Sequence, residues 1–210
     1  MALDPVLHID TLLKDHGFER IASLQAARAV LIEAGLTNAR KQNIAADKRD
    51  RVTEVVEARI ARYCGQVTCL ALLEQDGRRP VEVASKWCEV CGGSDIARSV
   101  NQMAVDLVAA KRPRLLVVGG SPNAHTQLRT SLAGTGVELE TVVGDRPTGA
   151  KRAKEMAERA DVVVIWANTI LDHKVSSVFT GVAPGRTFTC ARRSVSALAQ
   201  EVSRHVRGGV

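Results

Sequence analysis

The stretch Leu115-Leu116-Val117-Val118-Gly119-Gly120-Ser121-Pro122-Asn123-Ala124-His125 decides the fold. Its four leading apolar residues are typical of a strand that is buried on both faces of a sheet. The two glycines that follow permit a tight turn and a close approach of the backbone. Ser121 can then cap a helix that begins at Pro122, since proline suits the first helical position. The stretch therefore predicts a strand that passes through a glycine turn into a helix.

The rest of the C-terminal half repeats this alternation of strand and helix. Further strands are predicted at residues 137–143, 162–166 and 187–191, and helices at residues 94–110, 150–159, 173–179 and 194–206. Such alternation implies parallel strands joined by right-handed crossovers. We therefore predict an α/β fold in which residues 94–210 form a Rossmann-like, four-stranded parallel sheet with flanking helices.

The same motifs are similar to those of a known family. They are Leu116–His125, Ala160–Trp166 and the shorter runs Leu171–Val175 and Ala191–Arg193. On these residues the stretch 87–206 resembles an uncharacterised bacterial, Rossmann-like family, the domain of unknown function 2325. The resemblance implies the fold and marks residues 119–125 as the family's signature. It implies no activity.

Ligands of open parallel sheets bind outside the carboxyl ends of the strands. The segments that follow the predicted strands combine cations with a helix N-terminus, which suits a phosphate group. The GxGxxG spacing of dinucleotide sites is absent, which argues against a dinucleotide. We therefore expect a nucleotide or another phosphorylated small molecule. Ordinary loop polarity is the alternative. The expected contacts are Gly119, Gly120, Ser121, Asn123, His125, Arg146, Asn168, Asp172, His173, Lys174, Arg192 and Arg193.

The same edge offers no clear catalytic pattern. Ser121 has no base at a fixed spacing, and the adjacent Asp172 and His173 need not face each other. No acidic cluster follows the strands as a metal-dependent nuclease requires. Proton transfer by His125 or His173 stays open. We assign no catalytic residue and expect a binding protein rather than an enzyme.

Four of the five cysteines form two pairs, Cys64-x4-Cys69 and Cys88-x2-Cys91, which are separated by 18 residues. A hairpin predicted between them, with strands at 70–74 and 81–84, would bring the pairs together as in a zinc ribbon. Four thiolates complete the tetrahedral shell of a structural Zn²⁺. Gly65, Gly92 and Gly93 would let the backbone turn beside the sulfurs. Buried or reactive free thiols are the alternative, and Cys190 is predicted to be a core residue.

Residues 1–63 are predicted to be helical, with helices at 5–16, 19–34 and 47–63 and a short one capped by Thr37 or Asn38. This pattern resembles a helix-turn-helix, whose second helix enters the major groove of DNA. The predicted base readers are Thr37, Asn38, Arg40, Lys41 and Gln42, and the predicted phosphate contacts are Lys48, Arg49 and Arg51. A helical bundle that packs on the cysteine segment or forms a homodimer is the alternative.

The net charge of +6 is uneven, because residues 111–210 carry 15 Lys/Arg against 8 Asp/Glu. This excess favours an anionic partner, although a solvated cationic surface is the alternative. Aromatic residues make up 3% of the chain, which argues against modules that stack bases on aromatic rings. No apolar run suits a bilayer and residues 1–5 lack signal-peptide features, so we expect a cytoplasmic protein without a membrane partner.

Together these patterns predict three parts, a helical region at 1–63, a zinc-ribbon-like module at 64–93 and the α/β domain at 94–210. The expected function is that of a zinc-containing, nucleic-acid-binding regulatory protein with DNA as the favoured partner. The alternative is a sensor or enzyme that binds a nucleotide or another phosphorylated small molecule at the carboxyl edge of the sheet.

Overall fold

The computed structural model describes residues 6–74, 76–144, 148–167, 177–179 and 181–208. The chain forms two compact units, of which the first ends at Ser94 and the second begins at Asp95. The four paired cysteines belong to the first unit, together with the N-terminal helices. A further division of this unit at residue 63 stays a prediction. No described helix combines the length and the apolar character that a membrane span requires.

The first unit consists of short helices and two small sheets. Its elements are β1 (Val6–His8), α1 (Ile9–Asp15), α2 (Ile21–Glu33), β2 (Asn43–Ala45), α3 (Arg49–Arg59), β3 (Ile60–Tyr63), α4 (Val67–Ala71) and β4 (Arg79–Glu82). Strands β1 and β2 pair antiparallel, whereas β3 and β4 pair in parallel. One apolar core unites the helices, and Leu13, Phe18 and Leu31 are completely buried in it.

The short helix predicted after α2 is absent. Asn38 instead forms a turn, in which its Oδ1 accepts hydrogen bonds from the backbone N–H groups of Arg40 at 3.0 Å and Lys41 at 3.1 Å. Asparagine competes with helix formation in this way, because its side chain satisfies nearby amides. The chain then extends as β2, which pairs with β1 and buries Ile44. The prediction of a helix-turn-helix at these residues is therefore wrong.

The hairpin predicted between the cysteine pairs is also wrong. Leu70 lies in α4, and β4 pairs in parallel with β3, a segment that the sequence pattern assigned to the end of a helix. Helix α3 ends at Arg59, and the Arg78 guanidinium donates to the carbonyl oxygens of Glu57 at 3.2 Å and Ile60 at 2.9 Å. Strand pairing with a segment about 20 residues away overrides local periodicity here.

The second unit is the predicted α/β fold. Its elements are α5 (Asp95–Ala109), β5 (Arg114–Gly119), α6 (Pro122–Leu132), β6 (Glu138–Val142), α7 (Ala150–Arg159), β7 (Val162–Trp166), β8 (Thr187–Cys190) and α8 (Val195–Arg207). All strand pairs are parallel, in the order β6-β5-β7-β8. The four-stranded parallel sheet and its flanking helices are therefore confirmed.

Strand β5 lies at the centre of this fold and is buried on both faces. Leu115 and Val117 pack in the core with α5, α6 and α8, while Leu116 and Val118 pack in the core with α7. After β5 the chain forms β6 on one side of that strand, and it later forms β7 on the other side. The strand order therefore reverses between β5 and β7, and such switch points are the usual ligand crevices of open α/β sheets.

Candidate functional site

The four paired cysteines converge on one point. Their sulfur atoms all lie within 4.8 Å of one another. The Cys64 sulfur is 3.7 Å from the sulfurs of both Cys69 and Cys91. Four sulfurs at the usual Zn–S distance of roughly 2.3 Å form a tetrahedron with edges of about 3.8 Å. All four cysteines are free thiols, and their spacing fits a single tetrahedral metal ion.

Strands β3 and β4 bring these cysteines together. Cys64 follows the last residue of β3, and Cys69 lies in α4, which connects the two strands. After β4 a 3-10 turn at Ser85–Trp87 leads directly into Cys88. The glycines beside the sulfurs, Gly65, Gly92 and Gly93, have φ angles of 77°, 53° and 81°. The chain therefore turns beside both cysteine pairs in a conformation that favours glycine.

Backbone amides already point at two of the sulfurs. The N–H groups of Cys91 and Val90 donate to the sulfur of Cys88, and the N–H of Gly93 donates to that of Cys91. Burial opposes ionisation of Cys88, but these hydrogen bonds hold the pKa of its thiol below the ordinary value. Hydrogen bonds to the charged form stabilise a thiolate, which is the form that binds metal.

The pKa values of Cys69 and Cys91 are shifted in the opposite direction from that of Cys88. Burial, a hydrogen bond with Cys64 and the nearby sulfurs raise the pKa of Cys69 well above its ordinary value. Burial also raises the pKa of Cys91. Four thiolates this close repel one another, and a divalent cation bound between them cancels that repulsion. Three of the four residues are buried and Cys64 is half-buried, so a metal ion with these ligands would be closed to substrates.

At the carboxyl edge of the sheet, the predicted turn after β5 forms as expected. Ser121 accepts a hydrogen bond from the N–H of Ala124 at 3.3 Å, and Pro122 is the first residue of α6. Asn123 is exposed. His125 is 2% exposed, and its Nε2 lies 2.7 Å from the carbonyl oxygen of Gly119. This imidazole is therefore engaged with its own loop.

The ring of Trp166 lies beside Gly120 at the switch point between β5 and β7. A Cβ atom on Gly120 would lie 2.5 Å from a ring carbon of Trp166 and 3.1 Å from Nε2 of His125. The indole N–H of Trp166 donates to the carbonyl oxygen of Arg192 at 2.6 Å. Gly120 therefore admits the ring of Trp166. The sequence pattern identified the glycine, but it gave no sign that a side chain of the same chain would occupy the space beside it.

The structure brings part of the predicted ligand rim together. The residues Gly119, Gly120 and His125 share the switch point with the backbone of Arg192. The side chains of Ser121, Asn123, Arg192 and Arg193 are exposed. The other predicted contacts, Arg146, Asn168, Asp172, His173 and Lys174, lie outside the described residues.

One cavity at this edge of the sheet was not predicted from the sequence. It has a volume of about 290 Å³ and lies where β6 ends and α7 begins, lined by Thr141, Val142, Val143, Thr148, Gly149, Arg152 and Met156. The guanidinium of Arg129 donates to the Thr141 hydroxyl from α6. Gly149, which precedes α7, has no side chain to cap the helix, and the first turn of α7 contains no acidic residue. Since a helix dipole disfavours cations there, Lys151 and Arg152 in that turn are the signal that could have marked the cavity.

The residues predicted to contact nucleic acid lie on a turn and on the start of α3. Arg40, Lys41 and Gln42 are exposed, and the guanidinium of Arg28 donates to the Lys41 carbonyl oxygen at 2.7 Å. Lys48, Arg49 and Arg51 are exposed as well, and Arg51 pairs with Glu54 at 3.3 Å. Thr37 and Asn38 belong to the turn and not to a recognition helix.

Comparison with models of known protein families gives no match for this chain, and comparison with curated proteins gives none. The resemblance of residues 87–206 to the domain of unknown function 2325 stays a prediction. The functional conclusion therefore depends on the geometry of the two sites and on the distribution of charge.

The contact between Gly120 and Trp166 makes a prediction about stability. Gly120→Ala should lower the free energy of unfolding through the strain of a positive φ, about 1–2 kcal/mol, and a further 1–3 kcal/mol of overpacking. Gly134→Ala is the matched control, because Gly134 also has a positive φ but has no atom within 4 Å of the added Cβ. Urea unfolding followed by fluorescence measures both. Equal losses in the two variants would contradict the packing described for Trp166.

Proposed function

We propose that Cys64, Cys69, Cys88 and Cys91 hold a structural Zn²⁺ that stabilises the first unit. The supporting observation is the convergence of four sulfurs at tetrahedral spacing, two of which accept backbone hydrogen bonds. Zn²⁺ takes four thiolates in this geometry, and four protein ligands leave no position for a substrate. Iron also binds four cysteines, so elemental analysis decides between the two metals.

The zinc proposal predicts one Zn²⁺ per chain in the purified protein. Cys69→Ser should lose the metal and unfold at a lower temperature, because a serine hydroxyl is a poor ligand and metal binding contributes directly to folding. Cys190→Ser is the control, since Cys190 is equally buried but lies in β8 of the other unit. Zinc content and thermal unfolding are measured for both. Full zinc occupancy in Cys69→Ser, or a wild-type protein with no metal, would exclude this centre.

We further propose that the zinc-stabilised chain is a regulatory protein that binds nucleic acid, with DNA as the expected partner. The supporting observation is the distribution of charge. Residues 95–210 carry 16 Lys/Arg against 10 Asp/Glu, whereas residues 1–94 carry 13 of each. The whole net charge of +6 therefore belongs to the α/β unit. Such an excess attracts a polyanion over its surface.

Individual cations on the α/β unit are available for such contacts. Lys111, Lys151, Arg152 and Arg192 are exposed, and none of them forms an ion pair with another described residue. The N-terminal surface is a weaker candidate, since its recognition helix is absent and its unit is neutral. The proposed interface is therefore on the α/β unit.

Nucleic-acid binding predicts a steep loss of duplex affinity as salt rises, since each neutralised phosphate contributes about 0.9 to the slope of log K against log salt. The double variant Lys151→Glu with Arg192→Glu should weaken binding and reduce that slope. Arg40→Glu with Lys41→Glu introduces the same change of charge on the first unit and should have a smaller effect. Fluorescence anisotropy at several salt concentrations measures both. A larger effect in the second pair would move the interface to the N-terminal turn, and no binding at low salt would exclude the function.

A small phosphorylated ligand is the second candidate, and the cavity at the end of β6 favours it. Arg152, two threonines and Gly149, the residue that precedes the first turn of α7, border this space. Free backbone N–H groups beside a guanidinium suit a phosphate group.

This candidate predicts that a nucleotide raises the thermal stability of the protein, by about 2.7 kcal/mol at a concentration 100 times its dissociation constant. Arg152→Ala should abolish the shift, whereas the neighbouring Lys151→Ala, which does not line the cavity, should retain it. Thermal shift against a panel of nucleotides provides the measurement. A panel without any shift, or a shift that survives in Arg152→Ala, would rule out this cavity.

A further inference from the structure

Glu89 lies between the two metal-ligand candidates Cys88 and Cys91 and binds two arginines. One carboxylate oxygen accepts hydrogen bonds from the Arg62 side chain at 2.8 Å and from the Arg62 backbone N–H at 3.2 Å. The other accepts a hydrogen bond from the Arg78 guanidinium at 2.8 Å. The Glu89 backbone N–H also donates to the Arg62 carbonyl oxygen at 3.0 Å. Glu89 is thus bound to Arg62 through both its backbone and its side chain.

These contacts connect the two segments that carry the cysteines. Arg62 lies in β3, two residues before Cys64, and its guanidinium also donates to the carbonyl oxygen of His16 at 3.2 Å. Arg78 precedes β4 and is held by Asp76 and by the carbonyl oxygens at the end of α3. The Glu89 carboxylate therefore ties the loop of Cys88 and Cys91 to the strand that ends at Cys64.

The three side chains of this connection are partly shielded from solvent. The side chains of Arg62, Glu89 and Arg78 are 19%, 23% and 24% exposed, so solvent screens their ion pairs less than those at an open surface. Within the loop, the backbone hydrogen bonds to the sulfurs fix Cys88 relative to Cys91. The separation of Cys64 from Cys91 depends instead on how the two segments are joined.

We propose that Glu89 is a positioning residue of the metal centre, whose carboxylate holds Cys64 at the distance from Cys91 that one metal ion requires. This inference rests on the proposed zinc site. Groups outside the ligand shell orient the ligands, and their loss typically weakens metal binding about 10- to 100-fold. Because metal binding is coupled to folding, the test needs a control carboxylate that binds the same arginine but does not join the cysteine segments.

The experiment compares Glu89→Gln with Asp76→Asn in the full chain. Both variants remove one carboxylate from Arg78, and the two side chains are almost equally exposed, at 23% and 24%, but Asp76 lies outside the segment of Cys88 and Cys91. Competition with a chelating indicator measures the affinity for Zn²⁺. Glu89→Gln should weaken it by about tenfold or more, and Asp76→Asn by less than about threefold. The visible spectrum of the Co²⁺-loaded protein should change in Glu89→Gln alone, because Co²⁺ reports ligand geometry.

Each outcome decides the role of Glu89. A wild-type protein that binds no metal overturns both this inference and the zinc proposal. Wild-type binding with an unchanged affinity in Glu89→Gln, or equal losses in both variants, overturns this inference alone. If Glu89→Gln does not fold, Arg62→Lys replaces it, since lysine keeps the charge but cannot reproduce the guanidinium fork. A folded Arg62→Lys protein with wild-type zinc affinity and cobalt spectrum would equally overturn the inference.

Discussion

The first unit brings four cysteine sulfurs within 4.8 Å of one another, a distance at which four thiolates would repel one another. Its sheets have two strands each, and a pair of short strands is marginally stable without further support. The β3–β4 pair packs Ile60 and Val81 into the helical core, and the cysteine cluster lies at the end of the pair. A cation between the sulfurs would turn four repelling thiolates into a cross-link between α4 and the loop after β4. The local glycines, the amide–sulfur hydrogen bonds and the Arg62–Glu89 contact all lie around this cluster and would support the proposed metal ion.

The α/β unit is organised around apolar cores on both faces of its sheet. The central strand β5 is covered on both faces, so the apolar residues 115–118 supply the stability directly. At its carboxyl end the Trp166 ring lies against Gly120, which has no Cβ to meet it. The space directly beside this glycine is therefore taken by the ring. The cavity at the end of β6, bordered by Arg152, is the proposed place for a small anion.

Sequence patterns were sufficient wherever a feature is set by neighbouring residues. The continuous apolar run of β5, the Ser121 cap and the spacing of the cysteine pairs were each readable in this way. They were insufficient where distant segments compete with local preference. Residues 60–63 continue a helical pattern but pair with β4, and residues 43–45 pair with the distant β1. Local patterns also do not predict contacts between segments that are far apart in the chain. The contact of Trp166 with Gly120 and the contacts of Glu89 are of this kind.

The two units differ in how their charged side chains are paired. In the neutral first unit, several arginines form ion pairs that join separate elements, such as Arg28–Asp10, Arg62–Glu89 and Arg79–Glu33. In the α/β unit several ion pairs lie within one helix, as Lys154–Glu158 and Arg204–Glu201 do, and an excess of cations is left facing solvent. A cation that is already paired with a carboxylate attracts an external anion less than an exposed cation without an ion pair does. The proposed metal centre and the proposed anion-binding surface therefore belong to different units, the first in residues 1–94 and the second in residues 95–210.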